Sequence, residues 1–174
     1  MNDSISVKVD GVHIIDTIKN VKTGEVEVID RGHNLVMNKV LPLIMGMFKG
    51  TLAGIQYWAV GSGYSNWDTT PVNPEPTEVK LTKEIGRKAI TSDNIKFVDP
   101  TTYEVVDEVT TCIQIGCTFY ESECNGSWRE FGIFGGNATT TTDSGYMIDK
   151  KHHSLITKTE EMVIDRKIFL TVSF

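Results

Sequence analysis

Gly61, Gly63 and Asn66, at and just beyond the end of the apolar run "IQYWAVGSG", superficially begin a dinucleotide fingerprint, in which glycines let the backbone approach a pyrophosphate. The third glycine is missing, and Trp67 leads into a Pro-rich stretch instead of a helix whose N-terminus would hold phosphate. The pattern reads as a structural glycine turn. His13, His33, His152 and His153 supply imidazoles, but no His-x3-His pair or His/Asp cluster gathers them, and the adjacent His152 and His153 point to opposite faces of a strand. Cys112, Cys117 and Cys124 match neither paired zinc knuckles nor a CxxC redox pair and read as free, mostly buried thiols. There is no GxSxG elbow, and nothing selects among the 23 acidic residues the carboxylate pair that glycoside hydrolysis requires. The sequence therefore assigns no catalytic residue, no cofactor-binding residue and no metal ligand.

Two other groups carry chemistry of recognition. Tyr64, Trp67 and Trp128 are candidate interface or ligand contacts, because aromatic faces anchor protein interfaces and stack on sugars. Trp67 lies in the Pro-rich loop and is expected at an inter-subunit or intra-loop contact, with a glycan platform as the alternative. Glu84, Arg87 and Glu130 sit in otherwise apolar segments, where a charge is costly unless paired. They are candidates for a structural ion pair in which Arg87 bonds Glu84 or Glu130.

The elements that must position these residues are mostly strands. Ile5, Val7 and Val9 alternate with polar residues, an Asp10-Gly11 turn follows, and "VHIIDTIKNV" and "VEVID" flank a turn at Lys22–Glu25. This predicts an N-terminal β-hairpin over residues 1–31, which could dock on a neighbour by strand addition, ahead of a main β-rich domain over 32–174. "NKVLPLIMGMF" is apolar around nearly the whole helical wheel, predicting one buried helix near residues 38–49, capped by Asn38 and stopped at Gly50. A second, short helix is expected with Thr77 as cap and a body over 80–85. Val105, Val109, Thr111, Ile113, Ile115, Cys117 and Phe119 share one parity and predict a core strand, paired antiparallel with the segment after the Asn125-Gly126 turn. Met162, Ile164, Ile168, Leu170, Val172 and Phe174 predict a final strand, interrupted only by Arg166. "NATTTTDSG" reads as an exposed loop. The expected fold class is mainly β (α+β), with antiparallel sheets or a β-sandwich and one apolar helix.

Composition narrows the partners. A net charge of -6 without a basic stripe argues against direct contact with nucleic acid. The longest apolar run, Val40 to Phe48, is less than half of the roughly 20 residues a spanning helix needs, so membrane insertion is not expected. The opening "MNDSISVKVD" has neither a basic leader nor an apolar signal core, so folding in the cytoplasm is expected.

In order along the chain, "HNLVMN", "YWAVGSG", "LTKEIGRK", "REFGIFGG" and "MIDKKHHSLITK" resemble segments of bacteriophage tail, fibre-attachment and baseplate-periphery proteins, which also occur in phage-tail-like particles. The resemblance covers roughly Gly32 to Phe174. It implies a virion structural protein, a tail, fibre-adaptor, collar or particle-surface component, folded in host cytoplasm and assembled as a homo-oligomer with other tail, neck or head proteins. It implies no catalysis. No collagen-like repeat or heptad shaft is present, so the chain is not a complete long fibre. The alternatives are a module binding a host-surface glycan and, further off, a cell-envelope hydrolase.

Overall fold

A computed structural model describes residues 8–173; Ile5, Val7 and Phe174 of the expected strands lie outside them. The strands are β1 (Lys8–Asn20), β2 (Val26–Asp30), β3 (Leu35–Val36), β4 (Ala53–Gly61), β5 (Glu84–Ala89), β6 (Ile95–Val98), β7 (Cys112–Phe119), β8 (Gly126–Gly136), β9 (Tyr146–Lys158) and β10 (Met162–Ser173), with one helix, α1 (Val40–Phe48). They form two antiparallel five-stranded sheets, sheet A in the order β2-β1-β10-β7-β6 and sheet B in the order β3-β9-β8-β4-β5.

The sheets enclose one core because their inward rows alternate with outward polar residues. Sheet A contributes Ile14, Ile164, Ile168, Ile115 and Phe119, and sheet B faces them with Trp58, Trp128, Phe131, Ile133 and Ile156. In register, Ile14 lies beside Ile168 and Ile18 beside Ile164. Between those pairs Asp16 lies beside Arg166, both fully buried. Arg166 Nε donates to Asp16 Oδ1 at 2.5 Å and Nη2 to Oδ2 at 2.7 Å, while Arg31 Nε donates to Oδ2 at 2.7 Å. The guanidinium carbon of Arg166 lies 4.7 Å from the Phe131 ring centre and 5.7 Å from that of Trp128, so the charge is held against aromatic faces of the opposite sheet.

Several expectations change. Asp10-Gly11 is not a turn: β1 continues through it, with a register shift between Gly11 and His13. The β1–β2 hairpin forms, but β1 pairs with β10 along its length and puts Ile14 in the core, so residues 8–30 are part of sheet A and not a free arm. The expected helix over 80–85 is absent; Glu84–Ala89 is a strand on the edge of sheet B. α1 begins at Val40 with Lys39 at its N-cap and no side-chain cap from Asn38. Only Val40 and Leu43 of α1 are buried, while Leu41, Met45, Met47 and Phe48 are exposed, so one face packs and the rest is open. Gly50 does close the helix, with φ +73 and its N–H donating to Met47 O at 2.9 Å.

The long strand of residues 105–119 begins only at Cys112; Val105 makes one bridge to Val98, and Val109 is exposed. β7 and β8 do not pair, because the turn between them crosses from sheet A to sheet B. That crossing is held by Lys158, whose buried Nζ donates to Tyr120 O at 2.8 Å and Asn125 Oδ1 at 3.0 Å, and by the indole N–H of Trp128, which donates to Cys124 O at 2.7 Å.

Burial opposes ionisation of Asp16, but Arg166 and then Arg31 more than reverse this and hold its carboxyl at about 2, below the ordinary 3.8. A depressed carboxyl stabilises the fold above its unfolded value and loses that contribution as pH falls through the folded one. That contribution, roughly 2–3 kcal/mol, should therefore be lost as pH falls from 3.8 to about 2. Asp16→Asn is expected to cost about 3–5 kcal/mol in urea unfolding at neutral pH, by stranding two guanidinium groups, and to flatten that acid limb. An Asp16→Asn protein with the stability and acid limb of the parent would refute the role given to this pair.

Candidate functional site

Among the described residues, one end of the sandwich is left unfilled. Beyond the aromatic centre the sheets part around an apolar mouth of about 650 Å³, walled by Val9, Ile113, Leu170 and Val172 of sheet A, by Ile55 and Ile148 of sheet B, and by Leu43, Ile44 and Met47 of α1. Ser92, Thr110 and Thr111 are the hydroxyl side chains on its lining, and among the described residues no charged side chain lines it. The Thr110 hydroxyl sits within the fold, between Val98 O at 2.7 Å and Cys112 O at 2.8 Å. The mouth therefore offers mainly dispersion and water exclusion. On the same helix Leu41, Met45 and Phe48 stand exposed, Phe48 at 82%.

Residues singled out for recognition occupy different positions. The segment between β4 and β5 does not hang free; it lies across the outer face of sheet B. Trp67 is only 4% exposed and stacks on His152 with ring centres 3.8 Å apart, so it anchors its own loop and offers no open platform. Tyr64 meets Trp67 edge-on and remains 60% exposed. Trp128 is fully buried against Phe119, which removes it from any surface contact.

The glycines of the apparent fingerprint are explained by this packing. A side chain at Gly61 would come within 2.6 Å of Glu130 Oε1, and at Gly63, where φ is +49, within 2.3 Å of the Trp67 ring. Leu81 of the same loop packs with Met37, Ala59, Phe134 and Met147 in a second small core.

Arg87 makes a two-pronged pair with Glu84, Nε to Oε1 at 2.6 Å and Nη2 to Oε2 at 2.8 Å, both side chains being nearly excluded from solvent. Its remaining nitrogen donates to Thr139 O at 2.9 Å and to Ser144 Oγ at 3.0 Å, so it ties down the base of the 137–145 loop. Residues 139–142 of that loop are exposed and Ala138 is buried. Glu130 is not an Arg87 partner. Its carboxylate accepts from the backbone N–H groups of Thr82 at 2.9 Å and Lys83 at 2.8 Å and lies 3.2 Å from Lys150 Nζ.

His152 and His153 face opposite sides of sheet B, as their adjacency in a strand requires. His152 Nδ1 donates to Val72 O at 2.7 Å beneath the loop, and burial lowers its pKa. His153 faces the interior, where burial and then Arg166 hold it down to about 3, so it stays neutral beside the guanidinium. Cys112 and Cys117 are buried thiols and Cys124 is partly buried; burial pushes Cys117 up to about 12, far from a reactive thiolate. Among the described residues no group of three or more His, Cys, Asp or Glu side chains could hold a metal ion, and no helix is long and apolar enough to cross a membrane.

No protein-family model matches the chain, and no curated protein is significantly similar to it. The site must be read from its own geometry, and that geometry places the open surface chemistry at the apolar mouth and α1. The sequence shows α1 to be apolar around nearly its whole wheel, but not the mouth beside it, whose walls come from segments distant in the chain.

Trp67→Ala is expected to cost about 3–5 kcal/mol and to raise protease cleavage within residues 62–83, because it unpins the loop from His152. Unchanged stability and cleavage would show that the ring stack does not hold this layer.

Proposed function

We propose that this chain is a structural component of a phage-type particle, in the tail, fibre-adaptor, collar or surface class, and that it works by protein–protein assembly without catalysis. The observation that carries the proposal is the apolar mouth with its exposed helix: contiguous apolar surface of this kind marks a contact to be covered. An assembling neighbour supplies that cover, and a lone soluble domain does not. Symmetric oligomers bury such surfaces through repeated interfaces.

A second observation supports the class. The five segments on which the resemblance rests supply β3, β4, β5, β8 and β9, all the strands of sheet B, and the lead-in to α1. They are therefore parts of one spatial unit that includes the helix beside the mouth. The other phage-particle reading, glycan binding through Tyr64, Trp67 and the 137–145 loop, loses Trp67 as a platform because that ring is covered, while Tyr64 and residues 139–142 stay exposed.

Light scattering tests this. The full chain is expected to form a discrete oligomer, alone or with candidate tail, neck or head components. A double substitution, Met45→Ser with Phe48→Ser, should shift the assembly toward monomer by about tenfold or more in dissociation constant while leaving the melting temperature of the monomer nearly unchanged, since both side chains are exposed. A chain that stays monomeric with every component, or a double variant that assembles as well as the parent, would overturn the proposal.

A further inference from the structure

Asp149 lies on β9 opposite Val36 of β3 and beside Ile133 of β8, and it is fully buried. Its one hydrogen-bond partner is Asn34, the residue leading into β3, whose Nδ2 donates to Asp149 Oδ2. Two oxygens are left over: among the described residues Asp149 Oδ1 and Asn34 Oδ1 are both buried without a donor. Asn34 also packs tightly on the other sheet, since a side chain at Gly11 of β1 would come within 2.5 Å of its Oδ1. Sheet A, the lead-in to β3 and β9 therefore meet at this one amide, on the edge of the sandwich.

Two buried acceptors with no donor are costly for an ionised carboxylate, which can only accept. A carboxylic acid removes the deficit with one proton. We propose that Asp149 is protonated in the native protein and forms a cyclic acid–amide pair with Asn34, the acid O–H donating from Oδ1 to Asn34 Oδ1 while the Asn34 amide donates to Oδ2, and that this neutral pair is a proton-dependent latch joining the two sheets at the β3 edge.

The surroundings fit a neutral acid. Ile133 and Gly132 of β8 and Gly11 of β1 bring no charge to it, and Asn34 is neutral. Lys151, two residues along β9, is the charged group that acts on the carboxyl, and its Nζ is engaged with His33 O at 2.6 Å. Burial drives the Asp149 pKa well above the ordinary 3.8, and the Asn34 hydrogen bond and Lys151 only partly oppose this. With the folded value raised, the latch contributes fully in acid and loses its contribution as pH climbs from the ordinary carboxylate range toward the folded value. Alkaline conditions would then loosen the β3 edge first.

The test uses the full chain. Infrared spectra at about pH 7 should show the C=O band of a protonated carboxylic acid that is absent from Asp149→Asn. Asp149→Asn replaces the acid by an amide able to make the same two-point pair, so its melting temperature at about pH 8 should equal or exceed the parent's, whereas Asn34→Ala should lower it by roughly 4–8 °C. A missing acid band, or an Asp149→Asn protein as destabilised as Asn34→Ala, would overturn the latch. Should Asp149→Asn fail to fold, the carboxyl carbon resonance of Asp149 in the parent decides. A protonated shift at about pH 7 supports the proposal, and a carboxylate shift there refutes it.

Discussion

Asp16 and Arg166 form a buried ion pair in a row of isoleucines, and the sandwich is organised around keeping that pair satisfied. A guanidinium between two sheets would be prohibitively desolvated on its own. Here Asp16 accepts from two arginines, and Arg166 lies over Phe131 and Trp128. Its Nη1, which has no hydrogen-bond partner among the described residues, belongs to the same guanidinium held against those rings. The pair fixes more than energy. A one-residue slip of β1 against β10 would part Asp16 from Arg166 and turn the isoleucine row outward, so register and charge enforce each other. His153, kept neutral by burial and the nearby arginine, adds no second positive charge to the interior.

The outer face of sheet B is managed by a related device. Glu130 and Lys150 point outward from neighbouring strands and would be solvated residues in an ordinary two-layer sandwich. The 62–83 segment covers them instead, and its backbone satisfies them: Thr82 and Lys83 donate to Glu130, while Lys80 O accepts from Lys150 at 3.2 Å. Glu78 completes the set with a carboxylate 2.5 Å from Lys150 Nζ. Together with the Trp67–His152 stack and the small core around Leu81, these contacts make a segment without regular strands a third layer of the fold.

How far the sequence discloses this depends on the range of the interaction. Period-two alternation makes β10 and the Ile113–Phe119 part of β7 legible, because each strand records its own two faces. Arg166 stands out as a break in such a pattern, and Asp16 occupies the matching break between Ile14 and Ile18; their pairing becomes visible only once β1 is placed beside β10 across the length of the chain. Residues 80–89 illustrate the opposite case. Local helix signals around Thr77 lose to edge pairing with β4 and to the Arg87–Glu84 fork. The placement of Trp67 was hidden for a similar reason: a Pro-rich, polar stretch looks exposed, and nothing within it reveals that His152 waits on a strand 85 residues further along. The mouth was least legible of all, since its walls are contributed by strands of both sheets and by α1.

The contrast between the filled centre and the open mouth bears on why assembly is the better reading. Where the two sheets are closed, the interior is packed by large aromatics, and even charged groups are paired or capped. At the mouth, residues of the same apolar character face a space of about 650 Å³, and the adjoining helix turns Leu41, Met45 and Phe48 to solvent. A chain that satisfies Lys158 with several carbonyl and amide oxygens and seats Arg166 on aromatic faces is not loosely packed in general. The deficit is local and apolar, and it is continuous with a helix whose outward residues have no polar alternative. Water is a poor filling for such a surface, and apolar side chains from an adjoining subunit are a good one.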